Sequence, residues 1–274
     1  MMNDSTPEPD RFAFGANWRR FLGVLDEDRI RAAERSLTDW LGAEPMSRSS
    51  FLDVGCGSGL FSLAARRLGA SVRSFDYDSD SVSCTALLRD RFFPDDPTWV
   101  VEQGSVLDHV YLERLPTFDI VYSWGVLHHT GSLWRALENV SSLVRPGGAL
   151  WIAVYDDRGR SSVRWTKVKR LYNRAPPPAR AAILALAFLR LWGPTLLRDA
   201  VSGNPRRTWT SHRARRGMDP WRDTVDWVGG YPFEVSTPER LFEFFRARGF
   251  VLERLRVHAG ANNEMLFRGP FSPA

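Results

Sequence analysis

The chain has 274 residues, of which 43% are apolar and 25% are charged, a composition typical of one globular catalytic domain with an appended lid. Its two cysteines, Cys56 and Cys84, belong to no C-x-x-C motif, which argues against a disulfide framework and a zinc site. The polar, acidic N-terminal residues lack a signal-peptide pattern, so we expect a cytoplasmic protein without integral membrane association.

The predicted elements begin with an N-terminal helical cap at residues 1–47. Its aromatic segment 12–21, which includes Trp18, either covers a bound ligand or packs in the core. From residue 48 to 156 the sequence alternates between predicted strands and helices, as in a doubly wound parallel sheet. The predicted strands are 50–54, 71–75, 98–102, 118–123 and 149–155, and the predicted helices are 60–68, 79–92 and 133–144.

The alternation then stops, and residues 157–235 are predicted to form a basic, mainly helical lid. Residues 157–222 contain 16 Lys and Arg but 3 Asp and Glu, a net charge of +13. Three interpretations of this positive charge stay open: it forms a solvated face, it attracts an acidic acceptor, or it binds RNA. An apolar helix is predicted at 179–191. Its three possible roles are to cover a hydrophobic acceptor, to pair with a second copy of the chain or to contact a membrane surface. Arg190 and Pro194 interrupt its apolar stretch 181–197, which is shorter than the ~20 residues that span a bilayer.

The α/β pattern resumes at residues 236–270. A helix is predicted at 238–248, with Ser236 or Thr237 as its N-cap and Gly249 as its end. Strands at 250–257 and 264–267 follow, and their short connection predicts an antiparallel hairpin. The fold class is therefore α/β and doubly wound, with a mostly parallel sheet formed by residues 48–156 and 236–270, a C-terminal antiparallel hairpin and the inserted lid.

A glycine-rich turn follows the first strand, at Gly55, Gly57 and Gly59. Glycine lets the backbone turn tightly and approach a ligand that a Cβ would exclude. The spacing is not the GxGxxG of dinucleotide-binding enzymes, and no Walker lysine follows, so a cofactor with a ribose and an amino-acid tail fits better. Asp53 precedes the turn, and Asp76 ends the second strand, where a carboxylate can accept both ribose hydroxyls. The alternative for the turn is a tight connection without a ligand.

Five motifs in this order carry a resemblance to a known family: LDVGCGSG, SFDYD, GSVLD, FDIVYSWGVLHHTG and LVRPGGALWIAVY. Together they resemble class I, Rossmann-like S-adenosylmethionine-dependent methyltransferases, and are similar to the ubiquinone and menaquinone type of small-molecule methylase. The resemblance implies a seven-stranded sheet with a terminal hairpin, S-adenosylmethionine as cofactor and S-adenosylhomocysteine as product.

The same resemblance implies which residues bind the cofactor. Asp53 and Gly55 hold the methionine end, and Asp76 holds the ribose. Many relatives have an acid after the third strand that binds the adenine amino group, whereas this chain has Ser105 there, so Ser105 with the Val106 amide, or Asp108, takes that role. The predicted cofactor-binding set is Asp53, Gly55, Cys56, Gly57, Gly59, Asp76, Tyr77, Ser105, Val106, Ser123 and Trp124.

The predicted catalytic residues are the adjacent histidines after the fourth strand. Methyl transfer is an in-line displacement, which depends chiefly on positioning, and a general base adds about 10²- to 10⁴-fold. His129 is the first candidate base because relatives with an LEH or LHH motif most often keep that position, and His128 is the second. Alternatively, the pair packs the loop. Adjacent histidines without a carboxylate or cysteine are poor chelators, so no metal site is predicted.

The acceptor is predicted to be a small, anionic molecule, methylated on oxygen, nitrogen or an acidic carbon. Trp18, Tyr155, Tyr231 and Asn263 are the candidate acceptor-binding residues. Two alternatives stay open: an RNA methyltransferase that uses the basic lid, and a non-catalytic protein that binds S-adenosylmethionine. We expect a monomer or a homodimer.

Overall fold

The computed structural model describes residues 18, 22–23, 25–42, 46–204, 207–210, 220–257 and 262–271. Apart from Trp18, the predicted aromatic helix at 12–21 lies outside the described residues. The strands are β1 (Ser50–Val54), β2 (Ser71–Asp76), β3 (Trp99–Gln103), β4 (Phe118–Trp124), β5 (Val144–Tyr155), β6 (Val251–Arg256) and β7 (Asn262–Gly269). The helices are α1 (Glu27–Leu41), α2 (Leu60–Arg67), α3 (Ser79–Phe92), α4 (His109–Leu112), α5 (Leu133–Ser142), α6 (Arg160–Arg174), α7 (Pro177–Val201), α8 (Pro220–Gly229) and α9 (Pro238–Arg246), with a 3₁₀ turn at Leu127–His129.

The strands form one sheet in the order β3-β2-β1-β4-β5-β7-β6. The pairs from β3 to β5 are parallel, whereas β7 runs antiparallel to both β5 and β6. The seven-stranded, mostly parallel sheet and its terminal hairpin confirm the predicted fold class. In such a sheet, ligands bind at the carboxyl ends of the parallel strands where the strand order reverses, which here is the gap between β1 and β4.

Apolar side chains cover both faces of this sheet. On one face Leu37 of α1 and Leu63 of α2 pack against Phe51 and Trp151. The opposite core buries the following residues of α5, α9 and the strands: Leu133, Leu137, Leu241, Phe245, Val121 and Ile152. Burial on both faces explains why the parallel strands read as continuous apolar runs in the sequence.

Helix ends largely follow the local signals in the sequence. Asp78 caps α3 by accepting a hydrogen bond from the Asp80 amide at 2.9 Å. The Thr237 hydroxyl accepts one from the Arg240 amide, so Thr237, rather than Ser236, caps α9. Gly249 follows α9 with a φ of +79°, the left-handed geometry that a terminating glycine supplies.

Two element boundaries were predicted wrongly. The strand predicted at 149–155 begins earlier, at Val144, so the Pro-Gly-Gly at 146–148 lies within β5, where the pairing with β4 jumps from Phe118 opposite Val144 to Ile120 opposite Ala149. The extra residues are absorbed as a bulge. The apolar helix α7 has 25 residues instead of the predicted stretch 179–191, and Pro194 lies inside it.

The chain divides into two compact units. The larger one comprises Phe14–Arg158 and Glu234–Ala274 and contains the sheet. Within the smaller one, Gly159–Phe233, helices α6, α7 and α8 pack through Tyr172, Leu184, Ala187 and Val228.

The core of the smaller unit surrounds a lysine. The Lys169 amine donates to the Trp227 carbonyl and lies 4.1 Å from the Trp227 ring centre and 4.6 Å from that of Phe233. Burial lowers the pKa of this amine well below its ordinary value.

Candidate active site

The glycine turn joins β1 to α2 and depends on three residues with positive φ. Gly55, Gly57 and Gly59 have φ values of +78°, +54° and +78°. A Cβ on Gly55 would lie 2.4 Å from Cγ1 of Val126, and one on Gly59 would lie 2.9 Å from the Thr85 backbone. Gly55 therefore allows the turn to touch the segment after β4, and Gly59 allows it to touch α3. The three glycines are required both by conformation and by close packing.

Asp76 holds the middle of this turn from the end of β2. Its Oδ2 accepts a hydrogen bond from the Gly57 amide at 3.0 Å, and its Oδ1 accepts one from the Asp78 amide at 2.9 Å. The Trp18 indole lies on the same turn, because a Cβ on Gly57 would approach that ring to 3.1 Å. A carboxylate and an aromatic ring thus meet at Gly57.

A buried chain of polar side chains reaches Asp53 from the sheet edge. The Ser62 hydroxyl donates to Asp53 Oδ2 at 2.5 Å and lies 2.8 Å from the Ser74 hydroxyl oxygen. The Trp99 indole nitrogen donates to that Ser74 oxygen at 3.0 Å. We call Asp53, Ser62, Ser74 and Trp99 the buried serine chain. It fixes the Asp53 side chain without exposing it to solvent.

Burial changes the protonation of two groups beside the turn. Desolvation and, to a lesser extent, the nearby Asp76 charge raise the pKa of Asp53, the Ser62 hydrogen bond opposes both effects, and the resulting pKa is about 7. Burial, together with the charges of Asp53 and Asp76, also raises the pKa of the Cys56 thiol well above its ordinary value. The neutral Cys56 sulfur accepts a hydrogen bond from the Thr85 hydroxyl at 3.2 Å.

The residues predicted to contact adenine follow β3. The Ser105 hydroxyl oxygen accepts a hydrogen bond from the Leu107 amide at 3.2 Å. Asp108 caps α4 by accepting one from the Tyr111 amide at 3.1 Å. The Val106 side chain is buried in the apolar core. The backbone carbonyl of exposed Tyr77 accepts from the Gln103 side chain at 3.0 Å.

The end of β4 carries two predicted site residues with different surroundings. The Ser123 hydroxyl is fully buried and donates to the Val54 carbonyl at 3.0 Å, which ties β4 to β1. Trp124 is exposed and directly precedes the segment leading into the 3₁₀ turn.

The two histidines occupy this turn and differ in exposure. His128 is 0% exposed, and its Nδ1 accepts a hydrogen bond from the Tyr155 amide at 3.3 Å. An acceptor nitrogen carries no proton, so the His128 proton lies on Nε2. His129 is 9% exposed, and its ring meets those of His128 and Tyr155 edge-on at 4.4 and 5.5 Å between centres. The His128 ring lies 3.9 Å from that of Tyr155.

Glu234 holds the histidine turn in place, a role that the sequence did not reveal. Both carboxylate oxygens accept from the Leu133 amide, at 2.9 and 3.1 Å, at the N-terminus of α5. The Glu234 amide donates to the His128 carbonyl at 2.9 Å. Because about 100 residues separate these groups along the chain, no local pattern predicts the contact.

The start of β7 adds polar groups beside β5. Asn263 is fully buried, and its Nδ2 donates to Asp156 at 3.0 Å. Asn262 pairs with Tyr155 across the strands. Among the described residues, the buried atoms Asn262 Oδ1, Asn263 Oδ1 and Tyr122 Oη make no hydrogen bond. Buried polar atoms of this kind are suited to receive a ligand's polar groups.

The predicted residues thus form two groups in the larger unit. Asp53, Asp76 and Trp18 surround the glycine turn, while His128, His129 and Tyr155 meet at the ends of β4 and β5. The Gly55–Val126 packing joins these groups. Tyr231 belongs to the smaller unit, where the Arg170 side chain donates to its hydroxyl at 3.1 Å.

A family comparison matches more than half of this chain. Residues 25–192 match the family described as Methyltransferase domain. A ubiquinone biosynthesis O-methyltransferase of Parvibaculum lavamentivorans is 30% identical over 46% of this chain and 47% of its own length. A tRNA U34 carboxymethyltransferase of Methylococcus capsulatus is 32% identical over 63% of this chain and 56% of its own. The chain therefore spans about half the length of these relatives.

Solved structures share the fold at low sequence identity. Magnesium protoporphyrin IX methyltransferase of Synechocystis, solved with bound SAH, superposes with a TM-score of 0.54 at 14% identity and covers 93% of both chains. A SAM-dependent methyltransferase from Aquifex aeolicus gives a TM-score of 0.51 at 12% identity, covering 93% of this chain and 97% of its own.

Proposed function

Because this chain belongs to the class I S-adenosylmethionine-dependent methyltransferases, we propose that it methylates a small-molecule acceptor, an anionic metabolite or biosynthetic intermediate. The observation that carries the proposal is the glycine turn held by Asp76 and adjoining the histidine turn through Gly55 and Val126. The two buried cysteines are free thiols, which is compatible with a reducing cytoplasm. The proposed assembly is a monomer or a homodimer.

The described residues around the turn fit this cofactor. Bound S-adenosylmethionine would supply a methyl group on a positively charged sulfonium. Asp76 gives this part of the site a negative potential that favours a cationic ligand, and Asp53 adds to this potential when it is ionised. We assign Asp53 and Gly55 to the methionine end and Asp76 to the ribose hydroxyls. Each Asp76 oxygen has a second lone pair beyond its backbone hydrogen bond.

The assignment of the adenine end rests on Tyr77, Ser105 and the Val106 amide. The Asp108 carboxylate already caps α4, which makes it the weaker candidate for the amino group. Ser123 contributes by fixing β4 against β1 through its hydrogen bond to Val54. Cys56, with Trp124 beyond β4, completes the proposed cofactor-binding set.

We assign proton acceptance to His129 and positioning to His128. His128 uses Nδ1 for the Tyr155 amide, so that nitrogen is not available as a base. His129 retains slight exposure on the same turn and can accept a proton from a hydroxyl, an amine or an acidic carbon as the methyl group is transferred.

The proposed acceptor-binding residues of the larger unit are Trp18, Tyr155 and Asn263, and Tyr231 of the smaller unit stays a prediction from the sequence. Asn262 and Tyr122 join the residues of the larger unit because their buried polar atoms can bind an acceptor's N–H or O–H groups. The excess of positive charge at residues 157–222 supports an anionic acceptor. The acceptor therefore has both negative charge and hydrogen-bond donors.

The first test is calorimetric binding of S-adenosylmethionine and S-adenosylhomocysteine to the wild type and to Asp76→Ala. We expect micromolar binding by the wild type and at least about tenfold weaker binding by the variant, because a charge-assisted hydrogen bond contributes roughly 1.5–3 kcal/mol. Asp90→Ala, which removes an exposed carboxylate of α3, is the matched control and should bind normally. No binding by the wild type would contradict the proposed methyltransferase activity.

RNA methylation is the second candidate, and the basic composition of residues 157–222 is the observation in its favour. Three tryptophans of the smaller unit, a residue type that can stack on bases, contact other aromatic rings of that unit, although Trp221 stays 40% exposed. Trp165 meets Trp227 at 5.7 Å between ring centres, and Phe188 meets Trp209 at 6.2 Å and Trp221 at 5.3 Å. Transfer of a labelled methyl group to total RNA, compared with a set of small acids, would separate the two candidates.

A further inference from the structure

Helix α7 exposes four apolar side chains on one side, with Arg190 between them. Leu186, Leu189, Leu197 and Val201 are between 63% and 82% exposed. They recur at intervals of three, eight and four residues, which places them on one side of an α-helix. The buried side of α7 contributes Leu184 and Ala187 to the core of the smaller unit. We call the four exposed residues the α7 ridge.

Within residues 160–198, every exposed charged side chain is basic. Residues 160–198 contain nine Lys and Arg and no Asp or Glu. Eight of the nine are exposed: Arg160, Arg164, Lys167, Arg170, Arg174, Arg180, Arg190 and Arg198. The acid of α7, Asp199, is buried and accepts a hydrogen bond from the Thr208 amide at 2.8 Å. The described surface of α6 and α7 thus combines exposed leucines with an excess of positive charge.

We propose that this surface of the smaller unit binds an anionic lipid bilayer, with α7 lying in the plane of the interface. Leucines on one side of a helix enter the boundary between headgroups and acyl chains, and flanking arginines bind lipid phosphates. Arg190 can extend its guanidinium group to the headgroups while its alkyl stem covers apolar surface.

The helix does not span the bilayer in this arrangement, although its length and composition alone would permit it. Arg190 lies near its middle, and an arginine at the bilayer centre costs about 2.5–3.5 kcal/mol or more. Leu184 and Ala187 are also engaged with Tyr172 and Val228 in the core of the unit. A spanning helix would have to abandon this packing.

Charge argues against the two other occupants of the ridge. Two copies of the chain meeting at α7 would bring like charges together at a surface with no exposed acid between residues 160 and 198. Nucleic acid would match the arginines but would leave the leucines against a polar sugar-phosphate backbone. Only an anionic lipid surface satisfies both the ridge and its charges.

The test is sedimentation of the full chain with two kinds of vesicle. One kind contains phosphatidylcholine alone, and the other also contains about 30% phosphatidylglycerol, an anionic lipid that attracts polybasic surfaces. We expect binding to the anionic vesicles that decreases with added salt, and weak binding to the neutral ones. The variant L186Q/L189Q should bind about tenfold more weakly, because partial burial of two leucines contributes at least ~1.4 kcal/mol. R190E should lose binding to a similar extent.

The control is Leu87→Gln, which replaces an exposed leucine on α3 of the larger unit and should bind vesicles as the wild type does. Urea denaturation verifies that each variant is folded, so the absence of S-adenosylmethionine binding would affect the proposed activity but not this proposal. Equal binding to neutral and anionic vesicles, or unchanged binding by L186Q/L189Q, would overturn it. A dimer in light scattering that L186Q/L189Q dissociates would assign the ridge to a second copy.

Discussion

Asp53 combines complete burial with a pKa raised to about 7, which makes the stability of the ligand-free protein depend on pH. A carboxyl group whose pKa is higher in the folded than in the unfolded chain stabilises the fold below its unfolded pKa. That contribution is lost as the pH rises towards the folded value, here between about pH 4 and 7. Protonated Asp53 is therefore the form that the buried serine chain accommodates best.

Asp53→Asn should remove this dependence. From pH 5 to 8 the unfolding free energy of the wild type should fall by roughly 3 kcal/mol relative to the variant, measured by urea denaturation. Asp90→Asn, at an exposed position, serves as the control and should follow the wild type. Parallel curves for the wild type and Asp53→Asn would show that the buried carboxyl group keeps an ordinary pKa.

Substitution of each of the two adjacent histidines should have a different main effect, one on turnover and the other on stability. His129→Ala should lower turnover by about 10²- to 10⁴-fold with near-normal cofactor affinity, as expected for a general base. His128→Ala should lower the unfolding free energy by about 1–3 kcal/mol, because it leaves the buried Tyr155 amide without its acceptor. Initial rates, calorimetry and urea denaturation measure these effects, and an unchanged rate in His129→Ala would remove the proposed base.

At the scale of elements, the glycine turn can be tested with two glycines of similar φ. Gly55 and Gly203 have φ values of +78° and +75°, but a Cβ on Gly55 would collide with Val126 whereas one on Gly203 would meet nothing within 4 Å. Alanine at either position destabilises the fold by about 1 kcal/mol, because its Cβ disfavours the left-handed conformation. Only Gly55→Ala should also displace the segment after β4.

We therefore expect Gly55→Ala to weaken cofactor binding at least tenfold and to destabilise the protein by several kcal/mol, whereas Gly203→Ala should keep normal affinity. Calorimetry and thermal unfolding measure the two effects. The double variant Gly55→Ala/Val126→Ala, which removes the colliding methyl groups, should recover part of the loss. Equal affinities for the two single variants would mean that the turn tolerates the displacement.

Local sequence signals predicted the helix boundaries that a short stretch of residues determines. The α3 boundaries, the Thr237 cap and the Gly249 end follow from polar caps, glycine and apolar periodicity. The length of α7 does not follow from local signals, because a proline such as Pro194 is expected to interrupt a helix. A proline removes one hydrogen-bond donor, and the carbonyl of exposed Arg190 that loses this partner can be solvated instead.

At the scale of the whole molecule, the sequence predicted the seven-stranded sheet through family motifs and strand patterning, and the structure confirms it. The glycine turn, Asp53, Asp76 and the histidines were predicted because they lie at or shortly beyond the carboxyl ends of strands, which form one edge of the sheet. Glu234, Ser62 and Ser74 were missed. Their contacts join residues distant in the chain, and a buried serine or glutamate has no local signature of its partner. The roles of the site residues and the domain boundaries stay predictions.

The position of β7 between β5 and β6 has a consequence for the order of folding during synthesis. β5 is made first, yet its partner β7 pairs Asn262 with Tyr155 only after about one hundred further residues have been translated. Over that interval the smaller unit can form from its own local contacts, while β5 stays an open edge with unpaired backbone groups. Such an edge can pair with other chains, so a ribosome that pauses before β7 would expose the nascent protein to aggregation.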